Sequence, residues 1–235
     1  MITLGIDLSS QSKNTAACRI DWAEAGGARV DAPVLGCDDA ALYKLIADSH
    51  AVGVDAPFGW PETFRAAVAS WREEAWIGRL DMQRSLRLRI TDMAVRDRFK
   101  SSNTKLTPLS VSSDRIALPA MRAMALLKRH GVTDKSGDGR FFEVYPTGTL
   151  ACWSLTSRGY KTGAEAPQIR RKILKGIRMK FPTMNIPDGY HKCDHALDAL
   201  ISAITARLAK VGDTIVANES EKAAARIEGW IHLPK

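Results

Sequence analysis

No CxxC pair occurs in the 235 residues, and the four cysteines, Cys18, Cys37, Cys152 and Cys193, stand far apart. Zinc-ribbon and thioredoxin chemistry have no support in such a pattern, which fits a reduced protein with buried thiols. No run approaches the roughly 20 apolar residues of a membrane span, so a membrane partner is not expected. The basic start and apolar stretch of a signal peptide are also missing, which predicts a cytoplasmic location. Internal repeats and low-complexity segments are absent. Acidic residues are in short supply, with 26 Asp+Glu against 34 Lys+Arg, giving a net charge of +8. An excess of this sign favours polyanionic partners such as nucleic acid or nucleotides.

What is present suffices for a core. Hydrophobic residues make up 45% of the chain and charged residues 26%, which predicts one globular domain over 1–235. Residues 2–8, 15–22 and 28–36 read as strands of an antiparallel meander, with Gly26-Gly27 as a turn. DDAALYKLIAD (38–48) has helical spacing and an aspartate for its N-cap. AVGVD (51–55) follows as a strand, laid parallel to an earlier one by the crossover. From about 57 to 140 the pattern is that of a helical insertion, with helices at 60–76, 86–99 and 117–131. FFEVYP (141–146) returns to strand, and helices follow at 165–180 and 192–210. The tail RIEGWIHLPK adds a short strand or packs on the core. This order predicts an α/β fold. Its mixed five-stranded sheet has three antiparallel strands and then parallel ones, flanked by helices.

Two strands end alike, GID at Asp7 and GVD at Asp55. If they are parallel neighbours, both aspartates share the carboxyl rim where open α/β sheets bind ligands. The alternative for each is a carboxylate that turns strand into loop. In CDHALDALISAITARLA (193–209), Leu197, Ile201, Ile204 and Leu208 form an apolar stripe. Asp194 and Asp198 are four apart and share a face beside it, and His195 lies three before Asp198. Asp194 is equally readable as a cap, Asp198 as one half of a salt bridge, and His195 as a surface histidine. Glu143 on the last strand is a further candidate, its facing left undecided by alternation. Convergent carboxylates suit Mg²⁺ or Mn²⁺, and two such ions can activate water for phosphodiester hydrolysis. Phosphate contacts are available from Ser9, Ser10 and Lys13 after Asp7. Two basic runs add more, one with Arg89 and Arg96, the other with Arg170 and Arg171. The second run also reads as a solvated amphipathic helix, and Arg89 and Asp92, three apart, also read as a simple pair.

GIDLSS, VDAPFGWP, RITD, FFEVYP, DHALDALISAITA and the closing EGWIHLP occur here in order. Together they resemble the domain-of-unknown-function family four-two-nine, predicted nucleases of the RNase H-like fold, over nearly the whole chain. Through that fold the chain is distantly similar to Holliday-junction resolvases. The resemblance implies that Asp7 is the first-strand metal-binding aspartate, that Asp55 fills the fourth-strand acidic position, and that His195 and Asp198 match the HxxD pattern. The resolvases usually carry glutamate where this chain has the shorter Asp55, a reach that Glu143 would supply. A homodimer is implied by the same likeness. The leading expectation is a nuclease acting on DNA or RNA. Asp7, Asp55 and Asp198 would ligate the metal, with Asp194, His195 or Glu143 completing the shell or moving protons. A non-catalytic nucleic-acid or protein binding module is the alternative. GIDLSSQS also resembles the phosphate hairpin of actin-like sugar kinases, but those need two such domains and this chain is too short for both.

Overall fold

Strand β1 is Ile2–Asp7, β2 Ala16–Trp22, β3 Ala28–Val30, β4 Val34–Leu35, β5 Ala51–Asp55, β6 Phe141–Val144, β7 Met184–Asn185 and β8 Ile231–His232. The helices are α1 (Asp39–Ala47), α2 (Glu62–Ser70), α3 (Leu80–Arg87), α4 (Ile90–Arg98), α5 (Asp114–Arg129), α6 (Pro146–Cys152), α7 (Ala166–Lys180), α8 (Asp194–Lys210) and α9 (Lys222–Glu228). The structure is a computed structural model that describes residues 1–22, 27–70, 80–102, 104–112 and 114–235. The end of the helix expected at 60–76 and Gly26 of the expected turn lie outside these. No helix among the described residues is long and apolar enough to cross a membrane.

The fold is mixed α/β, with one sheet of eight strands rather than five, in the order β7-β3-β2-β1-β5-β6-β8 and with β4 paired to β2 off that path. The additional strands have physical reasons. Residues 28–36 do not run as one strand, because Pro33 has no amide to give a ladder; β3 and β4 pair with opposite ends of β2. β7 and β8 are two residues each, too short to show an alternating pattern. The inner strands follow expectation: β1–β2 and β2–β3 are antiparallel, β1–β5 and β5–β6 parallel.

Two compact units make up the chain. Met1–Asp55, Gly139–Ile215 and His232–Lys235 form the first, and Ala56–Asp138 with Val216–Ile231 form the second.

In the first unit, α8 lies directly on β1 and β5. Its residues from Ala196 to Ala206 are all buried, so the helix is enclosed all round rather than along one stripe. The approach is unusually close. A Cβ added at Gly5 would stand 1.9 Å from the Ala199 carbonyl oxygen, and one at Gly53 2.3 Å from that of Ser202. Gly5 and Gly53 are register partners, so together they open one shallow floor under the helix. The bulky residues Leu197, Leu200, Ile201 and Ile204 of α8 join a core with Ile173, Leu174 and Ile177 of α7.

In the second unit, Arg89 is a brace and not a surface cation. It is 1% exposed, and its guanidinium donates to Asp92 Oδ2 at 3.1 Å, Asp92 Oδ1 at 3.0 Å and the Glu228 carbonyl at 3.1 Å. Asp92 Oδ2 also accepts the Arg89 amide at the N-terminus of α4. Glu228 serves two helix starts: Oε1 accepts from the Glu62 amide at 2.8 Å and Oε2 from the Ile90 amide at 2.7 Å. Its charge suits both positive helix ends. RITD and the tail segment EGW thus form one buried network. Arg89→Met is expected to cost about 3 kcal/mol, because it strands the Asp92 carboxylate. Arg89→Lys should recover little of it, since an ammonium cannot make the bidentate fork. Urea unfolding with an unchanged midpoint for Arg89→Met would refute the network.

Candidate active site

G-x-D is a two-residue step, so each glycine and its aspartate face the same side of the sheet. On β1 and β5 that side carries α8, and Asp7 and Asp55 are register partners at the two strand ends. Ala199 and Ala203 lie over Gly5. One helical turn before Ala199 comes His195, and two residues beyond Gly5 comes Asp7. A turn of 5.4 Å and a two-residue strand step of about 6.6 Å nearly match. His195 Nδ1 accordingly meets Asp7 Oδ2 at 2.6 Å. The glycines that admit the helix therefore also place its first turns over the aspartates.

Asp198 is buried on the same helix, its side chain 1% exposed. Oδ1 accepts from the Tyr160 hydroxyl at 2.9 Å. Oδ2 faces Lys161 Nζ at 2.8 Å. Tyr160 also meets the Thr147 hydroxyl at 3.3 Å.

The electrostatics follow first from burial under a helix and then from the neighbouring charges. Burial raises the Asp55 pKa well above its usual value; Lys161 opposes this, while Asp7, Asp198 and Glu143 add to it. Asp198 is pushed up to about 6, first by burial, with Lys161 lowering it and Asp7 raising it. The Tyr145 hydroxyl, buried and near the Asp55 charge, rises to about 12. The hydrogen bond to Asp7 raises the His195 pKa, against burial that lowers it. Burial penalises the ionised carboxylates and their neighbours add to it, and a cation close to them would offset both.

Three of the expected residues, Asp7, Asp55 and Asp198, are thus brought together, with His195 hydrogen-bonded to the first. Asp194 opens α8 but is not its cap: the Cys193 thiol accepts the Ala196 amide at 3.4 Å. Asp194 adds negative charge near His195. Glu143 is a register partner of Val54, which faces away from Gly53 and Asp55. Alternation therefore sets it on the sheet face opposite α8, and its charge alone reaches Asp55. Ser9 Oγ accepts the Gln11 amide in the turn after β1, while Ser10 and Lys13 are exposed there.

Arg171 is exposed on α7 beside Lys172, Lys175, Arg178 and Lys180. Arg170 is not part of that face. It is buried and donates to the carbonyls of Tyr160 at 2.5 Å, His191 at 2.8 Å and Lys192 at 3.2 Å. The guanidinium therefore ties the Tyr160–Lys161 loop to the segment entering α8. Arg89 and Arg96 belong to the second unit, where Arg96 pairs with Asp97 at 2.7 Å. Sequence reasoning missed Tyr145, Tyr160 and Lys161. The glycine-flanked SRGYKTG, a loop with a single lysine, was the signal for Tyr160 and Lys161, and FFEVYP already held Tyr145.

Asp7, Asp55 and Asp198 are hard oxygen donors, the kind Mg²⁺ and Mn²⁺ take, and Asp198 Oδ2 is a buried oxygen whose partner is the half-exposed Lys161 ammonium. In kind, the set fits a divalent cation. No group of three such side chains is arranged around one point among the described residues. His195 sits on Asp7 and Lys161 on Asp198, so a metal would enter by replacing these partners.

No curated protein and no solved structure matches the chain. A family model described as Protein of unknown function (DUF429) matches residues 5–222, nearly the full length, and the chain belongs to that family.

Proposed function

We propose that the protein is a metal-dependent nuclease with an RNase H-like core, hydrolysing phosphodiester bonds of DNA or RNA. The observation that carries this reading is the in-register pair Asp7 and Asp55 at parallel strand ends, with Asp198 held over them by α8. Mg²⁺ or Mn²⁺ bound by these three carboxylates would supply an activated water and stabilisation of the leaving oxygen. The chain's own groups do the rest. In the metal-free site Asp7 Oδ2 orients His195 and raises its pKa, and a metal that takes that oxygen would release the imidazole beside it, placed to give a proton to a leaving oxygen. Burial of Asp198 under Tyr160 keeps bulk water from that carboxylate. The exposed basic residues of α7 would draw the phosphate backbone to the same unit by charge.

The observation favouring a non-catalytic binding module is that His195 and Lys161 already neutralise two of the carboxylates. Cleavage assays separate the two. Labelled single-stranded, duplex, RNA–DNA hybrid and four-way-junction substrates are incubated with Mg²⁺, Mn²⁺ or chelator. Cutting that requires the metal is expected on at least one of them. Tight binding with no cutting on any would establish the binding module instead, and cutting that persists in chelator would remove the metal from the mechanism.

A further inference from the structure

Lys161 is a half-exposed side chain on the loop between α6 and α7, yet its ammonium reaches a carboxylate that is almost fully buried. Extending a long lysine inward costs rotamer freedom, and such a pose persists only when the charge is needed. Here its partner is the buried Asp198 carboxylate, whose Oδ2 lies 2.8 Å from Nζ while Tyr160 holds the other oxygen. The loop is held for the purpose by Arg170, whose bond to the Tyr160 carbonyl is next to the lysine. Gly159, at φ 71°, supplies the left-handed turn just before Tyr160.

We infer that Lys161 is the resident counter-charge of the carboxylate cluster and that a divalent cation binds there in competition with it. The inference rests on the metal-dependent reading of the site and assigns the residue that regulates loading. A cation at Asp198 and an ammonium 2.8 Å from its Oδ2 repel each other, so one displaces the other. A half-exposed lysine can leave, because its flexible stem carries the charge back to water. Without Lys161, the three carboxylates Asp7, Asp55 and Asp198 would be opposed by His195 on Asp7.

The test measures Mn²⁺ binding to the full chain by calorimetry and by the electron paramagnetic resonance signal of free Mn²⁺, with thermal melts beside both. K161M and K161Q both remove the charge, so either that folds serves. Removing one competing charge should tighten Mn²⁺ binding by about tenfold or more. The metal-free variant should melt below the wild type, and the gap should close at saturating Mn²⁺. K161R keeps the positive charge and should bind Mn²⁺ as the wild type does. Unchanged or weaker binding in both uncharged variants overturns the inference, as does the absence of binding in wild type and variants alike. Binding that tightens in the variants without cleavage of any substrate supports it while overturning the nuclease reading.

Discussion

Gly5→Ala is expected to lower stability by about 4 kcal/mol or more, beyond the ~1–3 kcal/mol usual for an extra methyl in a packed core. The added carbon would lie 1.9 Å from the Ala199 carbonyl oxygen, 2.2 Å from the Ala203 nitrogen and 2.9 Å from the Ala203 Cα. All three are backbone atoms, and backbone cannot rotate away as a side chain tip does. Relief requires α8 to lift off β1, which takes its buried face and Asp198 with it. Gly53→Ala meets the Ser202 carbonyl at 2.3 Å and should behave alike. Gly27→Ala is the control, since its Cβ would find only the Thr183 carbonyl at 3.8 Å. For a chain of this size each kcal/mol moves Tm by about 2–4 °C, so melts should separate the variants by ~10 °C or more. A Gly5→Ala protein melting with the control would mean that α8 does not ride on the glycine floor.

The same two glycines explain why part of the site is legible in the sequence. G-x-D at two strand ends is a local pattern, and period-2 alternation turns it into a statement about one sheet face. The facing of Glu143 is not local in this sense. It depends on the register of β6 against β5, which pairs it with Val54 instead of Asp55. Register arises from long-range pairing, and FFEVYP read alone carries no information about it.

Charge counts mislead more than hydrophobic patterns do. Arg89 and Arg170 lie in basic runs and read as phosphate contacts, yet both are buried and spend their donors on the protein. The i,i+3 spacing of Arg89 and Asp92 does point to the pair that forms. Arg170 bonds only carbonyls, each at least ten residues away, and no spacing rule reaches them. Lys161 is invisible for the same reason: its partner, Asp198, is 37 residues further along, across a loop and the whole of α7.

Asp55→Asn should separate function from stability by moving them in opposite directions. Loss of a direct ligand costs at least the roughly 10–100-fold typical of the partners that merely orient ligands, so metal-dependent cleavage should fall by that much or more. Stability should rise, with a definite pH dependence. The folded-state pKa of Asp55 is raised, first by burial and then by Asp7, Asp198 and Glu143, with Lys161 opposing them incompletely. The folded protein thus holds this proton more tightly than the unfolded chain does. Wild-type stability then declines as pH climbs from the unfolded value of about 3.9 through the raised folded value. The neutral amide of the variant has no proton to lose and escapes that decline. In chelator, the two melting curves should coincide near pH 4 and diverge above it. The variant should gain about 1.4 kcal/mol, or roughly 3–5 °C, for every pH unit that separates the folded from the unfolded value. A variant that melts below wild type at pH 8 would show that Lys161 alone balances the cluster. A variant that also cuts at the wild-type rate would remove Asp55 from the site.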